Sequence, residues 1–427
     1  MRLILFDSLT PKRLNFHPLA LSRPIFELRC GMTSLGEKII AKTGITNVAC
    51  FVPPYIGYVY RMRTSYPVND LDTLQGDDLL LVNGRVKASE FAVASSGPSE
   101  VGVDFSEEVL YARITKEDLG KLHTESLEGL LNSAKAMLPV VREPIPAWDY
   151  LWDLVLANPT QLLLDFVAAG RCGLEGKIEE PHAIRGSKQD VYIAHGVVVH
   201  PMVVIDAEHG PVYIDEDAEI QPFTRIEGPC YIGKRSILLG TKCRAGNSIG
   251  PMCRVGGEIE DSIIQGYSNK YHDGFLGHAY VGEWVNLGAL TTNSDLKNDY
   301  SNVTVVLDGK SPISTGSTKV GALIGDHAKT AIGTMLNTGA YVGGMTLIAA
   351  GSKLLPKFIP SFAWYLDSGL SMGFGKKKLY EAAKIAMSRR KCKWTPADEV
   401  LWDAIHELTA AERDEAIRRD TRRLSSR

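Results

Sequence analysis

The sequence predicts two architectures in tandem: an α/β domain over residues 1–144 and a parallel β-helix built from hexapeptide repeats over 183–372. A helical connector over 145–182 joins them, and a helical cap or tail over 373–427 follows. Three observations carry this reading. Short apolar runs alternate with a helix-opening segment near the start. Of the 40 glycines, 24 fall in residues 183–351. Within that stretch aliphatic residues recur at a six-residue interval.

In the first region, Leu3–Phe6, Val48–Val52 and Leu79–Asn83 read as buried strands. Residues Thr33 to Ile40 open a helix with Thr33 as N-cap, because a short hydroxyl satisfies a free backbone N–H there. Strand, helix, strand is the rhythm of an α/β domain. Between 147 and 169 the period changes: Leu151, Leu154 and Val155 take helical spacing, Asn158-Pro159 breaks it, and a second short helix follows.

From Ile184 onward the interval of six dominates. It links Ile214, Ile220, Ile226, Ile232 and Leu238, then Cys243, Ile249 and Val255 after a one-residue slip. It returns at Val281 and Leu287, at Ile324 and Thr330, and at Val342, Ile348 and Leu354. A period of six matches neither a helix stripe nor strand alternation. It fits flat β segments stacked coil on coil, each with an inward aliphatic residue.

The formal charge is −3, with 47 Lys plus Arg against 50 Asp plus Glu, which gives no electrostatic case for nucleic acid. The apolar runs are too short to span a bilayer, so no membrane insertion is expected. Asp7 interrupts the first apolar run, which argues against a secretion signal. The seven cysteines are scattered and odd in number, as in reduced chains of the cytoplasm.

Candidate chemistry concentrates in residues 266–278, which break the interval and are expected to leave the coil. His272 is placed to take a proton from an attacking amine or hydroxyl, since imidazole titrates near neutral pH. Asn286 would orient the acceptor and Lys270 would meet a phosphate. A metal site from His195, His200, His209 and His272 matches no ligand spacing, so any metal remains unknown. In the first domain Arg23, Arg29 and Lys38 around Gly31 suit a phosphate or pyrophosphate; salt bridges to Glu27 and Glu37 are the alternative. Arg390-Lys391 and Arg422-Arg423 read as a solvated face or as contacts to an anionic partner.

With these residues in view, the chain resembles the GlmU-like sugar nucleotidyltransferases, relatives of the bifunctional N-acetylglucosamine-1-phosphate uridyltransferase/glucosamine-1-phosphate acetyltransferase. The resemblance rests on Ser22-Arg23-Pro24, Leu28 to Gly31, Val82 to Arg85, Ser268 to Gly277, Gly282 to Ala289 and Gly325 to Thr330. It implies a nucleotidyltransferase-like (Rossmann-like) domain, a left-handed β-helix and a homotrimer with the acyl site at the subunit boundary. It implies His272 as general base, Asn286 beside it, Phe275 at the acceptor in place of a tyrosine, and Ala289, Ala349 and Ala350 near acetyl-CoA or another acyl-CoA. Arg23, Arg29, Gly31, Lys38, Asn83 and Arg85 would meet the nucleotide or phosphate of a sugar phosphate or nucleotide sugar. The usual Gly-rich loop is replaced by Arg23 to Gly31. The usual metal-binding Gly-Asp becomes Gly84-Arg85, which puts chemistry with NTP and Mg2+ in doubt; Asp70, Asp72, Asp77 and Asp78 are the carboxylates at hand. Three readings stay open: acyl transfer, nucleotidyl transfer, and a non-catalytic scaffold.

Overall fold

The computed structural model describes residues 1–7, 9–350 and 353–425, and the side chains as far as 423. The chain forms two compact units. The first comprises Met1–Phe16, Ser22–Leu28 and Thr33–Tyr150; the second comprises His17–Leu21, Arg29–Met32 and Leu151–Arg427.

The first unit is an α/β domain on a six-stranded sheet. Its elements are β1 (Arg2–Phe6), α1 (Leu35–Thr43), β2 (Val48–Phe51), α2 (Pro54–Tyr60), β3 (Leu79–Asn83), β4 (Glu100–Val103), β5 (Val109–Ile114), α3 (Leu127–Met137) and β6 (Val140–Val141). The strand order is β2-β1-β3-β5-β4-β6. β1 runs parallel to both β2 and β3, while β5 pairs antiparallel with β3 and β4. The three expected strands form, and their continuous apolar runs suit burial on both sheet faces. Helix α1 starts one residue later than expected. Ser34, not Thr33, is the N-cap: its Oγ accepts from Glu37 N–H, and the Glu37 carboxylate accepts from Ser34 N–H at 2.7 Å. The reciprocal bond selects Ser34, because only that residue has a glutamate three positions on.

The second unit is a parallel β-helix. Among the described residues, one face stacks ten strands in chain order, from Gly173–Leu174 through Val191–Ile193, Asn247–Ile249 and Tyr280–Glu283 to Phe358–Ile359. The aliphatic residues at six-residue spacing point inward: Ile214, Ile220, Ile226, Ile232, Leu238, Cys243, Ile249, Val255, Val281, Ile324, Val342 and Ile348 are all 0–1% exposed. Gly250 belongs to the same stacking, since a Cβ there would lie 2.0 Å from the Gln265 carbonyl oxygen on the next coil. Leu354 departs from the expectation. It is 58% exposed and Leu355 is buried in its place, because Leu355 N–H bonds to Met335 O and the coil shifts by one residue.

Two further expectations are corrected. Residues 147–169 hold one continuous helix, α4 (Leu151–Ala169), and not two. Pro159 lies inside it; the buried face of Leu151, Leu154, Val155, Asn158, Gln161 and Leu162 anchors both sides of the proline. Residues 266–278 stay in the coil. Asn269–Lys270 pair with Arg254–Val255, and Phe275–Gly277 pair with Glu258–Glu260. The excursion comes later, where Thr304–Val306 and Pro312–Ser314 form an antiparallel hairpin.

One corner of the coil recurs in the left-handed backbone region with residues other than glycine: Arg235, Met252, Tyr267, Trp284, His327, Met345 and Phe362, with φ of 56–62°. Such residues are strained there. Stacking offsets the cost: Tyr267 lies on Trp284 at 4.4 Å, and Trp284 on His327 at 6.2 Å. Helices α5 (Lys376–Ser388), α6 (Pro396–Leu408) and α7 (Ala410–Ser425) dock on this ladder. Trp394 and Trp402 set their edges against His327, and Trp402 and His406 against Phe362.

The one-residue shift at the last coils predicts unequal effects of neighbouring truncations. Leu355→Ala should cost about 2–5 kcal/mol of unfolding free energy, measured by denaturant unfolding of the β-helix, while Leu354→Ala should stay within about 0.5 kcal/mol. Equal losses would contradict the register.

Candidate functional site

Each residue of the proposed site takes its place from the coil register. Arg254, Asn269, Asn286 and Lys329 occupy one column on successive coils, each two residues past a left-handed corner. Asn269 Nδ2 donates to Asn286 Oδ1 at 2.8 Å. His272 and Tyr271 follow on the turn after Asn269–Lys270, and both are exposed.

Lys270 does not face a ligand. It is 3% exposed, and its ammonium donates to Gly256 O at 2.8 Å and to His272 O at 3.0 Å. Period-2 alternation turns Lys270 inward while Asn269 faces out. Burial pulls its pKa down to about 8, against the nearby Asp273 carboxylate. The sequence expectation of a phosphate contact is therefore replaced by a role in holding the His272 turn. Lys329, at the other end of the column, is also brought to about 8 by burial.

A groove of about 340 Å³ is lined by Arg254, Asn269, Tyr271, His272, Arg389 and Arg390. Arg389 and Arg390 end α5, so the docked helices complete the wall. Burial, then the charges of Arg254 and Arg389, pull Arg390 below the ordinary guanidinium pKa. Phe275 is not in this groove. It lines a neighbouring depression of about 280 Å³ with Lys242, Glu258 and Asp273. Of the alanines, Ala289 is half-buried, Ala349 is exposed, and Ala350 points into the β-helix core, out of reach of a ligand. His200 sits between Glu179 and Glu219 at 3.0 and 3.2 Å. Among the described residues no group of three or more His, Cys, Asp or Glu could hold a metal ion.

The phosphate residues expected near the N-terminus are divided between the two units. Arg29 and Gly31 belong to the β-helix unit. Arg29 lies over the Tyr231 ring at 5.5 Å, its N–H bonds to Tyr280 Oη, and its guanidinium bonds to Met32 O. Gly31 N–H donates to Asn158 Oδ1, and a Cβ at Gly31, with φ +78°, would lie 2.3 Å from an Asp165 carboxylate oxygen. The glycine thus serves close packing on α4, and not a phosphate cradle. Lys38 is half-buried on α1.

Arg23, Asn83 and Arg85 do lie in the α/β unit, and all three are buried. Asp7 and Asn83 stand at the carboxyl ends of β1 and β3, where ligands of α/β sheets bind. That edge is internally neutralised. Arg85 pairs with Glu108 at 2.6 Å, Asp104 at 3.3 Å and Asp149 at 3.4 Å. Asn83 bonds to Glu108 and to Arg85 N–H, and Lys12 pairs with Asp104. Asp7 pairs with Arg13 at 3.1 Å; burial raises its pKa, countered in part by Arg13 and the Ile25 N–H. Carboxylates so engaged do not fit a magnesium site. Asp70 caps the turn Leu71–Leu74, Asp77 pairs with the N-terminal amine, and Asp78 accepts from Lys116 N–H. Asp77 and Asp78 precede β3 and so sit at its amino end, opposite the ligand-binding edge.

Residues 3–171 match the family described as sugar nucleotidyl transferase. Over those residues the chain is similar to sugar nucleotidyl transferases. A bifunctional sugar-1-phosphate nucleotidylyltransferase/acetyltransferase of Sulfurisphaera tokodaii is 36% identical over 154 residues, 34% of this chain and 36% of the relative. Bifunctional GlmU proteins of Synechococcus elongatus and Thermotoga petrophila are 26% and 29% identical over 229 and 177 residues, 54% and 37% of this chain. The chain spans little more than a third of the length of these curated relatives: 36%, 39% and 36%. An Arabidopsis UDP-N-acetylglucosamine acyltransferase structure aligns at 11% identity and a TM-score of 0.22, over 52% of this chain and 80% of that one. The β-helix is established by this chain's own strand pairing. No helix among the described residues is long and apolar enough to cross a membrane.

Sequence reasoning missed Arg254, Asn269 and Arg389. Asn269 lies in the marked stretch 266–278 but carried no role there, and no motif marks Arg254 or Arg389, because their convergence needs the coil register and the docking of α5.

Lys270 gives a pH test. Its folded pKa lies below that of the unfolded chain, so the unfolded state binds more protons between about pH 8 and 10.5, and stability should rise with pH there. Denaturant unfolding of wild type relative to Lys270→Met should show a gain on the order of 3 kcal/mol across that window. A flat difference would mean the ammonium is not confined.

Proposed function

We propose that this chain is a transferase acting on a sugar phosphate or nucleotide sugar, with acyl transfer from acetyl-CoA or another acyl-CoA in the groove around His272. The observation that carries the reading is the imidazole itself: it is exposed, it sits on a turn held by Lys270, and it shares a groove with Asn269, whose amide bonds to Asn286. The named acetyltransferase activity of the relatives supports this class of chemistry. His272 would take the proton as the acceptor amine or hydroxyl attacks the acyl carbon. The acceptor–carbon bond forms, the carbon–sulfur bond breaks, and the electron pair leaves with the CoA sulfur. The Asn286 amide lies one coil away and would orient the acceptor. His272 and Phe275 line separate depressions in a single chain, and the resemblance to GlmU-like proteins implies a homotrimer whose neighbouring copies would complete the acyl site. A cytoplasmic location goes with a CoA-dependent reaction.

A second activity, nucleotidyl transfer to a sugar 1-phosphate, is favoured by the family match over residues 3–171. The strand-end carboxylates do not present a magnesium site, so no metal-dependent step is assigned to them. Magnesium-dependent incorporation of labelled pyrophosphate into NTP in the presence of a nucleotide sugar, with release of the sugar 1-phosphate, would establish this activity.

Free CoA released from acetyl-CoA should be followed over a panel of amino-sugar phosphates and nucleotide sugars. His272→Ala should lower turnover by about 10²–10⁴-fold, the usual contribution of a general base. Turnover equal to wild type would remove His272 from the chemistry. An absence of CoA release with every panel member would leave the nucleotidyltransferase or a non-catalytic scaffold as the better reading.

A further inference from the structure

The groove beside His272 holds three guanidiniums from two distant parts of the sequence. Among the described residues, none of Arg254, Arg389 and Arg390 is ion-paired with a carboxylate, although neighbouring arginines on the coils are. Arg235 pairs with Asp217, and Arg244 with Glu258 and Glu260. The Arg254 guanidinium donates to the carbonyls of Arg235 and Cys253. The Arg390 Nε is buried without a hydrogen-bond partner. Asp273, the carboxylate next to His272, lines the adjoining depression instead.

Like charges gathered without neutralisation repel one another, and partial burial strengthens the repulsion. The electrostatics agree: burial and the other two arginines, with no carboxylate among the larger influences, act on Arg390. A favourable position at the end of α5 accounts for Arg389 and Arg390 through the helix dipole. It does not account for Arg254, which comes from a coil strand and faces the same groove. Guanidiniums are suited to the oxygens of phosphate, to which they donate in pairs.

We propose that Arg254, Arg389 and Arg390 form a receptor for a phosphoryl group, and that the C-terminal helices thereby supply two of the three charges that hold a phosphorylated substrate beside His272. The proposal rests on the acyl-transfer reading for its substrate, but not for its anion. Two substrates of that reaction carry the required chemistry: the phosphates of CoA and the phosphate of the sugar acceptor.

Isothermal titration of the full chain with inorganic pyrophosphate tests the receptor. The expected result is salt-dependent binding that weakens at least tenfold in Arg389→Gln/Arg390→Gln and in Arg254→Gln, with binding retained in Arg244→Gln, an arginine outside the groove. Wild type that fails to bind pyrophosphate, or variants that bind it as wild type does, would overturn the proposal. Arg389 is exposed, so Arg389→Gln alone keeps the test should the double variant unfold. Titrations with CoA, 3′-dephospho-CoA and a hexosamine 1-phosphate then separate the sources. Loss confined to CoA assigns the receptor to the donor, and loss confined to the sugar phosphate assigns it to the acceptor. Loss of neither sinks the receptor. The two ideas fail separately: pyrophosphate binding that is lost in the arginine variants, without CoA release, keeps the anion site and removes acyl transfer.

Discussion

The rest of the β-helix depends on one constraint, the hydrogen-bonded register of each coil on the next. Asn269 N–H bonds to Val285 O and Leu287 N–H to Asn269 O, and the same pattern joins Asn286 to Ala328 and Thr330. These bonds fix each residue directly over its counterpart. Inward positions then become columns of aliphatic side chains, corner positions become an aromatic ladder, and outward positions become the polar column from Arg254 to Lys329. A one-residue slip would exchange inward and outward faces over a whole segment. The core and the candidate site are therefore two sides of one registration.

The corner ladder links that registration to the C-terminal helices. Non-glycine residues in the left-handed region are costly, and here their rings lie in contact. The ladder ends on His327 and Phe362, where Trp394, Trp402 and His406 dock. That docking carries Arg389 and Arg390 to the outward column two residues beyond the corner. A stretch of sequence that reads as a capping helix thus becomes a wall of the groove.

The α/β unit solves a different problem. Its parallel strands bring Asp7 and Asn83 to one edge, and that edge is crowded with charges that satisfy each other. Arg85 is 1% exposed and meets three carboxylates; a buried ion network of this kind is costly to break and already complete. Residue type made Arg85 a candidate for phosphate, while its partners, Asp104, Glu108 and Asp149, lie 19 to 64 positions further on.

The sequence by itself determined what depends on local repetition. The six-residue interval announced the β-helix because every coil repeats the same inward demand, and the three apolar runs announced the strands of the α/β sheet. It also marked His272 and Asn286, which stand in a distinctive stretch. Only the tertiary structure decided what depends on partners distant in sequence. Lys270 turned inward because Asn269 faced out. Gly31 served packing because Asp165 and Gln161 stood over it. Arg254 met Arg389 and Arg390 because a coil corner and a helix end were docked together. Leu355 replaced Leu354 because the coil beside it set the register. Periodicity survives in a linear chain, since each repeat restates it; a charge's neighbours do not, since they are chosen by folding.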